Sequence, residues 1–99
     1  MNLRAIRVLR TPYSERHLIA SDGREIAAVD LHYLLDGRVA GTLTIYDNSG
    51  VTEKEAPALL AFIDNDLLPE VSVGENNLLF TVVIGHILGS FTHDLATGT

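Results

Sequence analysis

Residues 24–47, REIAAVDLHYLLDGRVAGTLTIYD, decide how this chain is read. Two apolar, β-branched runs flank Asp36-Gly37, and an Asp-Gly pair between alternating runs is a strong hairpin signal. Loop length then sets which residues share a face. A two-residue loop, Asp36-Gly37, would pair Leu35 with Arg38, Leu31 with Thr42 and Val29 with Thr44. A three-residue loop, Leu35-Asp36-Gly37, would pair Leu34 with Arg38, Tyr33 with Val39, Leu31 with Gly41 and Val29 with Leu43. The second register gathers Val29, Leu31, Tyr33, Val39, Leu43 and Ile45 on one face. It leaves a mixed face with Asp30, His32, Thr42 and Thr44. A slip of one residue turns every side chain over, so the register that separates apolar from polar is preferred. It also puts Gly37 at the left-handed position of the turn, where glycine is at home. The three-residue loop is expected.

Working outward, residues 3–10 read as a first strand, ended by Thr11-Pro12 and an irregular loop through Arg16. Residues 17–21 form a short second strand leading into a second Asp-Gly turn at Asp22-Gly23. Residues 24–34 and 38–47 are the third and fourth strands, the last ended by Asp47-Asn48-Ser49-Gly50. Thr52-Glu53-Lys54-Glu55 is a capping box that opens a helix over Thr52–Leu68. Ala56, Leu59, Leu60, Ile63 and Leu67 lie on one face of it, Pro57 falls near the first turn, and Pro69 stops it. Residues 71–77 read as a loop. Leu78–Leu88 is apolar on both faces, as expected of a central strand covered on both sides. Residues 91–99 read as a loosely held tail of one single domain, 1–99.

The expected fold is therefore α+β: a mainly antiparallel sheet of about five strands in β-β-β-β-α-β order, with one amphipathic helix packed on one face. Five strands at ~4.8 Å make a sheet about 24 Å wide, whereas a helix is ~10 Å across. One helix leaves most of the sheet's surface bare. A second copy packed sheet to sheet or edge to edge, in a twofold homodimer, is the expected cover, with a partial barrel as the competing arrangement.

Composition bounds the function. The chain has 99 residues, no cysteine and a net charge of −6. Disulfides, thiolate metal sites and cysteine nucleophiles are excluded. Residues 1–24 carry five arginines against Glu15 and Asp22, whereas residues 25–99 carry Arg38 and Lys54 against eleven carboxylates. An acidic body with a basic first segment fits nucleic acid poorly. The arginines are expected to dock on the protein's own acidic surface or on a second copy. In a regular strand Arg4 and Arg10 share a face and Arg7 points away, so the three do not converge on an anion. The arginine-interleaved N-terminal segment lacks the apolar run of a signal peptide, and Leu78–Leu88 is too short to span a membrane. No membrane association is expected, and a soluble cytoplasmic protein is.

The one constellation with catalytic chemistry is Asp30 with His32, two apart and so on one face, joined by Thr42 and Thr44 across the hairpin and by Tyr46 beyond. A carboxylate beside an imidazole could orient a general base, but no nucleophile motif accompanies it. His17, His32, His86 and His93 show no ligand spacing, so neither a metal nor another cofactor is expected. Asp64-Asn65-Asp66 lacks the later ligands of a calcium loop. Glu53 and Glu55 crowd the helix start that an anion would need. Gly85-x-x-x-Gly89 lies in no helix of spanning length. The expected function is a small non-enzymatic, homo-oligomeric module whose bare sheet face binds a protein or small ligand. The alternatives are a small enzyme or ligand-binding protein with a pocket near Asp30 and His32 at a protomer interface, and an acidic inhibitor of a basic protein.

Overall fold

The computed structural model describes residues 2–68 and 78–89. Strands β1 (Leu3–Arg10), β2 (Ser14–Ser21), β3 (Arg24–Tyr33) and β4 (Val39–Tyr46) form an antiparallel meander, and β5 (Leu78–Gly85) joins it beside β4. Between β4 and β5 the chain makes a 3₁₀ turn (Glu53–Glu55), helix α1 (Ala56–Phe62) and a π-helical turn (Ile63–Leu67). A helical crossover between adjacent strands returns the chain in the same direction, and β4 and β5 are accordingly parallel. The fold is α+β as expected, with a mixed sheet in place of a purely antiparallel one. The expected tail over 91–99 and the loop over 71–77 lie outside the described residues.

The β3–β4 hairpin has the expected register. Tyr33 faces Val39, Leu31 faces Gly41 and Val29 faces Leu43. The Leu34 amide donates to the Arg38 carbonyl at 2.9 Å, closing a three-residue loop with Gly37 at φ +88°. At the other Asp-Gly pair, Asp22 and Gly23 both have positive φ, the signature of a type I′ turn. The capping box is also formed: the Thr52 hydroxyl accepts from the Lys54 amide at 3.3 Å, and Glu55 Oε2 accepts from the Thr52 amide at 2.7 Å.

The core lies between the helical segment and one face of the sheet. Leu59, Ile63 and Leu68 pack with Ile19, Ile26, Ala27, Val29, Leu31, Val39, Leu43 and Ile45, all buried. Each fully buried Leu or Ile contributes about 1.5–3 kcal/mol relative to exposure. Ile26 enters this core through a bulge: Ile19 faces Ala27 and Ala20 faces Glu25, so Ile26 has no partner on β2 and turns inward beside Ala27. Gly41, on the same face, is covered by the Phe80 ring from β5, and a Cβ there would overlap that ring. The absence of a side chain on β4 therefore seats an aromatic of β5.

Four expectations need correction. Strand β2 begins at Ser14, three residues before the expected start, because Ser14–Arg16 pair with β3 instead of looping. The expected single helix divides into three helical types, its π turn closed by the Leu68 amide on the Ile63 carbonyl. The arginine parity changes because β1 is bulged at Val8: Arg7 faces His17, but Leu9 faces Arg16 and Arg10 faces Glu15. Arg10 thus shares the helix side with Arg7, while Arg4 lies on the opposite face. Finally, β5 ends at Gly85 and, among the described strands, lies at an edge of the sheet instead of its centre, with Leu79 69% and Ile84 53% exposed. Among the described residues its two-sided apolarity is not matched by burial on both sides.

Candidate functional site

Register alone assembles the mixed face. Leu9, Arg16, Asp30, Thr42 and Thr81 form one row across the five strands, and Ile6, Leu18, Ala28, Thr44 and Val83 form the next. Among the described residues no helix lies over these rows. Arg16 Nε donates to Asp30 Oδ1 at 2.6 Å, and Arg16 Nη2 to Oδ2 at 3.4 Å. The hydrogen bond to Asp30, followed by that carboxylate's charge, raises the Arg16 pKa above its ordinary value. Both oxygens of Asp30 are turned to the guanidinium, and no hydrogen bond joins Asp30 to His32. His32 is exposed at the next row, between Ser14 and Ala40.

The other sequence candidates stay close to this pair without converging on it. Thr42 is directly opposite Asp30, Thr44 is one row further on opposite Ala28, and both are half-buried. Tyr46 is also half-buried; burial raises its pKa first, and the negative charge of Glu25 adds to that. Tyr46 lines a shallow depression of about 270 Å³ with Glu25, Asn48, His86 and Ile87. At its rim His86 Nδ1 lies 3.3 Å from Asp47 Oδ2, both exposed. Among the described residues no group of three or more His, Asp or Glu side chains could hold a metal.

A tighter polar group sits on the opposite side of the sheet, and the sequence reading missed it. Glu15 lies at its centre. Arg10 Nη1 donates to Glu15 Oε2 at 2.6 Å, the Tyr33 hydroxyl donates to the same oxygen at 2.5 Å, and His17 Nε2 lies 2.5 Å from Oε1. The Arg10 guanidinium also stands 5.2 Å from the Tyr33 ring centroid. Burial by itself raises the Glu15 pKa, but the hydrogen bonds from Tyr33 and His17 and the nearby Arg10 charge outweigh it and hold the carboxyl below its ordinary value. Burial, reinforced by Glu15, pushes the Tyr33 phenol up to about 12. A phenol held protonated and a carboxylate with three donors form a closed structural network. The signal was available in Glu15 and His17, two apart, but only once β2 is carried back to Ser14 and the Val8 bulge has turned Arg10.

Among the described residues the fold and these two groups define a small α+β unit: one mixed five-stranded sheet with one helical layer on one face and none on the second. The chain matches no protein-family model, no curated protein and no solved structure. No helix among the described residues is long and apolar enough to cross a membrane.

Proposed function

We propose that the chain is a small, non-enzymatic, homo-oligomeric interaction module that presents its uncovered sheet face to a protein partner, in a cytoplasmic setting. The observation that supports this reading is the row Ile6–Leu18–Ala28–Thr44–Val83, largely apolar and with no described element over it, in which Ile6 and Val83 are 56% and 42% exposed. Exposed apolar side chains such as these favour an interaction surface where they adjoin further apolar groups. The pocket reading around Asp30 and His32 has weaker support, because Arg16 already engages the carboxylate that would orient the imidazole. Inhibition of a basic protein rests on the acidic charge of residues 25–99 alone. Sedimentation equilibrium of the full chain at micromolar concentration tests the proposal. A concentration-dependent dimer or higher species is expected, and a monomer throughout would overturn it.

A further inference from the structure

The two edges of the sheet are built differently. On β1, Arg4, Arg7 and Arg10 stud the strand and the bulge at Val8 breaks its line, both devices that discourage another strand from pairing there. On β5, Leu78–Gly85 contains no charge, no proline and no bulge against β4. The Asp47 amide donates to the Gly85 carbonyl at 2.8 Å, so Gly85 directs its polar groups toward β4. Alternation along a strand then turns Leu79, Thr81, Val83 and Gly85 toward β4. The amides and carbonyls of Leu78, Phe80, Val82 and Ile84 face outward, with no strand beyond them among the described residues.

We infer that this outer edge of β5 pairs with the β5 of a second copy, antiparallel about a twofold axis, joining two sheets into one of ten strands. The inference rests on the homo-oligomeric reading above and specifies its surface. Three observations favour a second copy as the occupant. A twofold interface must be self-complementary, and an uncharged apolar strand is so in antiparallel register. The register that pairs every outward-facing residue from Leu78 to Ile84 is centred on Thr81; it sets Leu78 against Ile84 and Phe80 against Val82, apolar partners throughout. Two bodies that each carry a net charge of −6 repel, and β5 is a strand along which they can meet without opposing like charges. Head-to-tail pairing of β5 with β1 of another copy would leave open ends and grow into a filament; the arginines and the bulge of β1 oppose it.

The geometry gives substitutions that separate the interface from the fold. Val82→Pro removes an outward amide and leaves the β4 ladder intact, a position where a strand tolerates proline. Thr81→Lys puts two ammonium groups opposite each other at the axis, on a side chain exposed in the single chain. Sedimentation equilibrium of the full-length variants, with circular dichroism to verify the fold, is the test. Each variant is expected to weaken the dimer by about tenfold or more while keeping a native spectrum. An equimolar mixture of Thr81→Lys and Thr81→Glu is expected to recover the dimer, which also decides the matter if Val82→Pro does not fold. A dimer of unchanged affinity in folded Val82→Pro, or no recovery in the mixture, overturns the β5 edge and leaves the homo-oligomeric reading standing. A wild-type chain that stays monomeric overturns both.

Discussion

Glu15 and Arg16 are neighbours in the chain and lie on opposite faces of the sheet, and the two faces treat charge in opposite ways. On the helix side Glu15 is enclosed by Arg10, His17 and Tyr33, with its side chain 11% exposed. On the uncovered side the Arg16–Asp30 pair lies at 33% and 27% exposure, within reach of solvent. A charge network closed off beside a packed core must be complete, because an unmade hydrogen bond there costs the full desolvation of the group. A pair in reach of water carries a smaller penalty, because solvent can replace a lost partner. Among the described residues the helical layer covers one face only, and this creates the difference.

The widest gap between the faces is expected in packing. Leu59→Ala, on the covered side, should lower unfolding free energy by about 2–5 kcal/mol. Leu18→Ala, half-buried on the open side, should cost no more than about 1.5 kcal/mol. Urea titration of both variants measures the contrast, and equal losses would mean that the open face is packed in solution.

The Glu15 network should come next. Glu15→Ala leaves the Tyr33 hydroxyl and His17 without their acceptor and is expected to cost about 1–3 kcal/mol. Because the folded Glu15 pKa lies below its ordinary value, its contribution is present above that value and is lost as pH falls through the lowered folded one. The acid limb of the stability profile should therefore be shallower in Glu15→Ala. Tyr33 acts at the other end of the scale, since its folded pKa is raised from 10.0 to about 12. Its contribution is present below the unfolded value and is lost as pH rises between the two. Tyr33→Phe should remove that alkaline loss, as followed by denaturation at increasing pH.

The smallest effects are expected on the open face. Asp30→Asn should change stability by no more than about 1 kcal/mol, and less in high salt. His32→Ala should stay within about 0.5 kcal/mol. If His32→Ala or Asp30→Asn instead abolished a ligand-induced melting shift, the pocket reading would gain what the static geometry withholds.

How much was legible follows from how local each cause is. The β3–β4 register could be read because parity, apolar content and the need for glycine at Gly37 all operate within residues 24–47. The capping box at Thr52 and Glu55 is equally local. The arginine geometry was misread because one unpaired residue, Val8, reverses parity for everything after it. The Glu15 network was missed because its four members come from three strands and depend on that bulge. Strand β5 was misplaced because a strand buried within a sheet and one exposed at its edge can have the same apolar composition.

The sequence by itself determined the α+β class, the β3–β4 register and the start of the helix, because turn chemistry, alternation and capping act over a few residues. Only the tertiary structure decided that β5 runs parallel at an edge, that Ile26 turns into the core and that Asp30 belongs to Arg16 and not to His32. Each of these depends on which distant strand lies alongside, and that is settled by burial across the whole sheet.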